Sequence, residues 1–279
     1  MTLKKALRNP SLVAGGGIVL VLTLCAIFAP LMAPYDPASG GNLLYANEPP
    51  GPMFWLGTDD KGRDILSLLV HGARVSLGIG VGTQLVNAAI GIVLGVTAGY
   101  FGGWWDDVVS GLTGIFLTVP TLIFALAIMA VLGPGLVNVF LALGLTHWAY
   151  TCRIARSQTL VVRSLGYVQA AHLIGFRSGS IMLREILPNI AGPVLVITSL
   201  GMGAAILLEA SLSFVGLGAQ PPSVSWGLML STAREVIFTS PWMSVFPGLA
   251  IFLAVLGFNL FGDGLRDLLD PHMQVDHGK

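Results

Sequence analysis

The stretch VVSGLTGIFLTVPTLIFALAIMAVLGPGLVNVFLALGLTHWAYTC, Val108 to Cys152, runs for 45 residues without Asp, Glu, Lys or Arg. A helix rises about 1.5 Å per residue, so about 20 apolar residues cross the hydrocarbon core of a bilayer. The stretch is too long for one crossing. Gly133-Pro134-Gly135 interrupts it, and such a tripeptide is a strong turn signal. We therefore read two crossings here, over 109–132 and 136–152.

Four further stretches lack charge: Asn9 to Tyr35, Val75 to Trp105, Ile186 to Leu208 and Val236 to Gly262. Each accommodates one crossing, over 12–33, 76–101, 190–213 and 243–263. The expected fold is an all-α polytopic membrane protein with six transmembrane helices. Composition agrees. Of the 279 residues, 54% are hydrophobic and 10% charged, against about 25% charged in a soluble domain. Mean hydropathy is +0.81. Fourteen basic and fourteen acidic residues cancel, which removes the electrostatic footprint of a nucleic-acid binder. The expected surroundings are membrane lipid, not nucleic acid.

Lys4, Lys5 and Arg8 precede the first crossing as they would a signal peptide. Its apolar run exceeds the usual 7–15 residues and no small-x-small cleavage site follows, so we read a retained helix. Basic residues orient the chain. With the N-terminus inside, the inner segments hold Lys4, Lys5, Arg8, Arg153, Arg156, Arg163, Arg177, Arg184, Arg266 and Lys279. The outer segments hold Lys61, Arg63, Arg74 and Arg234. Both termini are therefore expected on the cytoplasmic side. The inner turn 102–107 carries Trp104 and Trp105, which suit the headgroup level, and no basic residue. Cys25 and Cys152 fall in different crossings and form neither a disulfide framework nor a metal spacing.

Three segments are too polar to cross and too long to be turns: an outer loop over 34–74, an inner loop over 153–189 and an outer loop over 216–241. Function is sought there. The inner loop opens with Arg153, Arg156 and Arg163 on one helix face. A short helix follows around Tyr167-Val168-Gln169-Ala170-Ala171-His172-Leu173-Ile174, closed by Gly175. Alanine keeps such a helix thin, and glycine permits a sharp stop. A second helical stretch, Ile181 to Leu187, ends at Pro188-Asn189, and Pro188 starts the next crossing. Two readings stand side by side: a cytoplasmic hairpin of no special role, or a helix on the membrane surface that inserts into a partner's groove.

The loop resembles the E-A-A-x3-G-x9-I-x-L-P segment of binding-protein-dependent ABC importer permeases, through Gln169, Ala170, Ala171, Gly175, Leu187 and Pro188. Gln169 replaces the usual Glu, and Glu185 stands where Ile or His is usual. The resemblance implies a coupling helix that docks on an ATPase subunit. Leu56-Gly57-Thr58-Asp59-Asp60-Lys61-Gly62-Arg63-Asp64 is similar to the L-G-T-D-x-x-G-R-D signature of dipeptide, oligopeptide and nickel permeases. Leu208 to Pro222 with Trp226-Gly227, and Gly262 to Pro271, are similar to the C-type subunit of those systems. The organisation implied is an N-terminal helix and extracytoplasmic loop over 1–74, a permease core over 75–265 with its coupling loop at 153–189, and a cytoplasmic tail over 266–279. The implied fold is that of a type I ABC importer permease.

By that resemblance the chain is a permease subunit of an ATP-driven importer in a prokaryotic cytoplasmic membrane. Its implied partners are a homologous second permease, two cytoplasmic ATPase subunits and an extracytoplasmic substrate-binding protein. ATP and Mg would sit on the ATPases and no cofactor on this chain. A G-x-x-x-x-G-K-[ST] phosphate loop and a nucleophilic triad are both missing from the sequence. Peptides are the expected substrate. A nickel chelate or other small solute is the alternative within the family, and an ion-coupled secondary transporter the alternative outside it.

Single residues carry double readings. Glu209 lies about 20 residues, or about 30 Å of helix, beyond Pro188. It is a pathway or gate residue, or a helix-end carboxylate bonded to serines such as Ser211 and Ser213. His147 is a substrate contact or a histidine bonded to a neighbouring helix. Asp59, Asp60 and Asp64 form a self-neutralising loop with Lys61 and Arg63, or a metal site, and we expect no metal. Asp263, Asp267 and Asp270 surround Arg266 at helical spacing, as a solvated helix end or an ATPase contact. His272, Asp276 and His277 suit a loose metal site or a terminus outside the fold. Gly91, Gly95 and Gly99 form a small-x-x-x-small ladder, for packing within the chain, packing against a partner, or sliding.

Overall fold

The computed structural model describes residues 9–36 and 40–269. These form helices connected by loops, and among the described residues strand pairing is limited to one isolated bridge between Thr58 and Asp64. The helices are α1 (Pro10–Ile27), α2 (Ala29–Met32), α3 (Ile65–Phe101), α4 (Gly103–Thr118), α5 (Thr121–Leu132), α6 (Leu136–Thr146) and α7 (Trp148–Arg163). They continue as α8 (Gly166–Leu173), α9 (Ser178–Ile181), α10 (Leu187–Phe214), α11 (Trp226–Ala233) and α12 (Trp242–Leu269). Lys4, Lys5, Arg8, Asp270, His272, Asp276, His277 and Lys279 lie outside the described residues.

Four uninterrupted helices are long and apolar enough to cross a membrane, and a bent pair makes a fifth. The expected crossing 109–132 is that pair: α4 and α5 meet at 90°. Pro120 explains the break. Its ring drives the preceding residue out of helical geometry, and Val119 is extended at φ −86°, ψ 126°. The expected crossing 136–152 also divides, with His147 between α6 and α7. Among the described residues, length and apolarity alone thus mark four or five of the six expected crossings, and 136–152 is divided between α6 and α7.

The central helix α3 starts before its expected crossing, at Ile65. The Asp64 carboxylate caps it, accepting from Ser67 N (2.8 Å) and Ser67 Oγ (2.6 Å). An N-cap carboxylate meets backbone donors that have no partner within the helix. α3 has 37 residues, about 55 Å, so its first turns extend beyond a bilayer core.

The glycine ladder of α3 faces α7. A Cβ on Gly91 would stand 2.8 Å from the Trp148 carbonyl oxygen, on Gly95 2.5 Å from that of Cys152, and on Gly99 2.9 Å from that of Arg156. Two backbones can approach this closely only where side chains are absent. The ladder is therefore packing within the chain. The same device joins α1 to α12: Cβ atoms would stand 2.3 Å from Phe261 N at Gly15 and 2.5 Å from Leu12 N at Gly264. Asn9 caps α1 by accepting from Leu12 N (3.0 Å), and its Nδ2 donates to Asp267 (3.3 Å). The expected cluster around Arg266 is not formed among the described residues, where the ion pairs are Arg63–Asp59 and Arg156–Asp106. Both cysteines are free thiols, Cys152 buried and Cys25 half-buried.

Gly95→Ala is expected to destabilise the protein by about 1–3 kcal/mol, the usual cost of overpacking. Gly78→Ala, where the added carbon meets nothing within 4 Å, is expected to leave stability unchanged or slightly raised. Thermal unfolding of the two variants in detergent measures the contrast.

Candidate functional site

The inner loop folds as a short helix set between two long ones. α7 stops at Ser164, whose hydroxyl donates to the Val161 carbonyl (2.8 Å). Leu165 is extended at φ −72°, ψ 141°, and α8 begins at Gly166. Its stop is built from Gly175, at φ +87°. Gly175 N donates to the His172 carbonyl and Phe176 N to the Ala171 carbonyl, both at 3.1 Å. This pair of bonds is a Schellman closure, which needs a left-handed residue at the position Gly175 holds.

Gln169 is exposed, and its side-chain amide donates to the Ser164 carbonyl (3.3 Å). A glutamate carboxylate could not make this bond, because it has no donor. The residue that departs from the family pattern thus clips α8 to the end of α7. Ala170 is exposed and Ala171 half-buried. Around the thin alanine surface, Leu173 is 85% and Ile174 73% exposed, with Tyr167, Phe176 and Leu183 also open to the outside. This exposed apolar surface lies on a loop with no partner in the chain.

The other side of the loop is anchored. Val168 is buried in a cluster with Ile181, Ile186, Ile190 and Val194, and with Val96 and Tyr100 of α3. Ala171 and Leu187 pack against the same cluster. One apolar knot therefore ties α8 to both α3 and α10, and joins the two halves of the motif, which are well separated in sequence.

The expected break at Pro188-Asn189 is absent. Residues Ser178–Phe214 run as one helix of 37 residues, through a π-helical segment at Met182–Ile186. Pro188 has no N–H and its ring collides with the carbonyl four residues back. A locally widened turn relieves that collision, and the Asn189 amide donates to the Glu185 carbonyl. Pro188 itself is exposed, and Leu187 before it is half-buried.

Glu209 is fully buried. It accepts from Ser213 Oγ (2.7 Å) on its own helix and from Ser76 Oγ (3.1 Å) on α3. Ser225 hydrogen-bonds it as well. Ser76 Oγ in turn accepts from Trp226 N (3.1 Å), and Ser213 Oγ from Ala219 N (3.2 Å). Ser211, the other serine expected here, donates instead to the Leu207 carbonyl (2.7 Å). The carboxylate thus clasps α3, α10 and the 216–225 loop. His147 sits at the joint of α6 and α7 and is half-buried.

The signature loop forms a compact turn in front of α3. Asp59 accepts from Lys61 N (2.9 Å), Arg63 N (2.8 Å) and Arg63 Nε (2.7 Å), and its ion pair with Arg63 closes to 2.6 Å. Thr58 is buried; its hydroxyl donates to the Tyr45 carbonyl and accepts from Glu48 N (2.8 Å). Trp242 Nε1 donates to the Thr58 carbonyl (3.2 Å) and covers Gly57. Gly62 lies against Asn42, and Asp64 caps α3. Among the described residues no group of three or more His, Cys, Asp or Glu is arranged to hold a metal ion.

One pair is not visible in the sequence pattern. Arg156 of α7 holds Asp106 of α4 through Nε and through Nη2 (2.6 Å). Along the chain Asp106 is merely part of a turn without basic residues. Fifty positions separate the partners, and helical spacing does not report on such a distance.

Residues 91–275 match the family described as binding-protein-dependent transport system inner membrane component. Residues 1–50 match the N-terminal TM domain of oligopeptide transport permease C. The chain is 40% identical over 271 residues to the glutathione transport system permease protein GsiD of Pectobacterium atrosepticum, covering 97% of this chain and 90% of the relative. It is 41% identical over 273 residues to the dipeptide transport system permease protein DppC of Alkalihalophilus pseudofirmus, covering 97% and 89%. With GsiD of Escherichia coli O6:K15:H31 it shares 42% over 256 residues, covering 92% and 84%. A solved structure of the MetNI methionine ABC transporter, inward facing, superposes with a TM-score of 0.59 at 18% identity over 73% of this chain and 96% of that one. At that identity the likeness is one of fold.

Glu209→Ala removes the acceptor for the buried hydroxyls of Ser76 and Ser213 and the contact to Ser225. A loss of about 1–3 kcal/mol is expected, read as a lower unfolding temperature. Glu209→Gln keeps an acceptor, and transport in reconstituted vesicles is expected to stay near wild type. Loss of transport in a stably folded Glu209→Gln protein would instead mark the carboxylate as a gate.

Proposed function

From the premise that this chain belongs to the binding-protein-dependent transport system inner membrane components, we propose that it imports peptides, with α8 as the element through which separate ATPase subunits drive it. The chain is a permease subunit of an ABC importer, and its relatives are permease subunits and not catalytic enzymes. Family membership sets aside an ion-coupled secondary transporter. ATPase and binding-protein partners follow from the family in general terms. We infer two cytoplasmic ATPases carrying ATP and Mg, a homologous second permease and an extracytoplasmic binding protein. The excess of basic residues on the α8 side supports cytoplasmic termini.

Two relatives named for glutathione and dipeptide transport support a peptide substrate. The observation that carries the coupling reading is the two-sidedness of the 166–187 segment. Its outward surface is apolar and open at Ala170, Leu173 and Ile174, while its inward surface is locked to α3 and α10 through Val168, Ala171 and Leu187. A helix held in this way moves as a unit with α3 and α10. When the ATPases close, a push on α8 would reach α3 and α10 without dissipating in a flexible loop. The clip from Gln169 to Ser164 and the closure at Gly175 add to that stiffness. Glu209 and the signature loop are read as clasps that hold the far ends of α3, α10 and α12 while this happens.

Ala170→Asp and Leu173→Asp place a carboxylate on the exposed side of α8, where folding does not depend on the residue. Both variants are expected to insert into the membrane normally, to lose at least about tenfold in affinity for the ATPase subunit, and to lose ATP-driven peptide uptake. Pull-down of the ATPase together with uptake in reconstituted vesicles checks this. Normal ATPase binding by both variants would refute the docking role of α8.

A further inference from the structure

Two recesses meet at Phe101, one along α3 and one that borders α8. One, of about 610 Å³, follows the outer surface of α3 along Val93, Leu94 and Thr97 to Trp104 and Trp105. Val93, Phe101 and Trp104 are 61%, 56% and 73% exposed, so this groove opens away from the helical bundle. On a helix long and apolar enough to cross a membrane, that is the side of the lipid tails. Two of its polar side chains are bonded to the protein itself, since Trp105 Nε1 donates to Thr97 Oγ1 (3.3 Å), which donates to the Val93 carbonyl (2.7 Å). From Val93 to Phe101 the groove follows about 12 Å of helix.

The second recess, of about 520 Å³, lies between the end of α3 and α8, with Phe101 as the shared wall. Arg163, Gln169, His172 and Ser178 supply its polar lining, and no acidic residue lines it. Arg163 is exposed. Its guanidinium is aimed by the Tyr100 ring (6.0 Å to the centroid) and by a bond from Nη1 to the Gly99 carbonyl (3.4 Å). Neither contact neutralises it. The ion pairs among the described residues use Arg63 and Arg156, and the nearby Asp106 is taken by Arg156.

We propose that the two recesses form one binding site for an anionic phospholipid of the surrounding bilayer. An acyl chain lies along Val93, Thr97 and Trp104, and the phosphate pairs with Arg163. The groove is apolar where a lipid tail would run and cationic where the head would sit. The two indoles stand at the change of polarity, the level that tryptophan favours at a membrane surface. Basic pockets beside spanning helices are suited to anionic headgroups. A soluble phosphate would leave the groove empty, and a zwitterionic lipid would bring its ammonium beside Arg163 in a recess with no acidic residue to receive it. Because Gln169 and His172 line the headgroup recess, the bound head adjoins the helix proposed to meet the ATPases. That consequence rests on the docking reading, whereas the lipid site itself does not.

The test is native mass spectrometry of the purified transporter complex with added phosphatidylglycerol or phosphatidylcholine. The wild type is expected to retain phosphatidylglycerol preferentially. Arg163→Gln is expected to weaken that retention about tenfold, as for loss of a charge-assisted contact, and to abolish the preference over phosphatidylcholine. Val93→Trp, which fills the groove from an exposed position, is expected to lower retention with Arg163 intact. Equal retention of the two lipids by the wild type overturns the proposal. So does unchanged retention in both variants, or displacement of the lipid by glycerol phosphate alone. Loss of lipid preference is measured separately from ATPase binding, so failure of the site leaves the docking reading standing, and the reverse.

Discussion

The Cys152 carbonyl lies where a side chain on Gly95 would begin, 2.5 Å from the position of its Cβ. The approach of α3 to α7 at this point governs how the neighbouring helices are placed. In a bilayer, apolar side chains gain little by leaving lipid for one another, so helices associate through close packing and internal polar bonds. Gly91, Gly95 and Gly99 let the two backbones meet along three successive turns. That contact places Arg156 against Asp106 and Arg163 beside Tyr100. It also carries the end of α7 to where α8 must turn back beneath α3. Without the ladder, the cluster that seats Val168 among Val96, Ile186 and Ile190 would not assemble.

The two ends of the bundle are held differently. At the end bearing the signature loop, polar groups are buried and bonded to one another. Glu209 gathers Ser76 and Ser213, Asp59 gathers Arg63 and two backbone amides, and Asp64 caps α3. Buried polar groups are costly unless bonded, so such networks define one arrangement and resist others. At the α8 end the bonding is sparser and apolar side chains stand open, Leu173 and Ile174 above all. A rigid end and an open end suit a subunit that is worked from one side.

Much of this is legible in the chain itself. Charge-free runs locate the apolar helices, because charged residues are expensive in hydrocarbon. Ala170, Ala171 and Gly175 announce a short thin helix with a glycine stop, because left-handed backbone at a helix end nearly demands glycine. The pairing within Asp59 to Arg63 is visible because its partners lie four residues apart. Other features are not legible. The effect of Pro120 is hidden inside an apolar run that reads the same whether straight or bent by 90°. Pro188 reads as a break, yet the helix passes through it by widening one turn. The carboxylate of Glu209 is visible, but the hydroxyl of Ser76 that meets it comes from 133 residues away.

By itself the sequence determined that the chain is helical and membrane-embedded, where its polar loops fall and which short segment carries the family's docking pattern. These are local properties, set by hydropathy and by the backbone preferences of glycine, proline and alanine. Only the tertiary structure decided which glycines face which helix, that Gln169 closes the turn a glutamate could not, and that Ala171 and Leu187 share one apolar cluster. Each of these depends on which residues become neighbours when distant segments pack, and periodicity along a chain does not encode that distance.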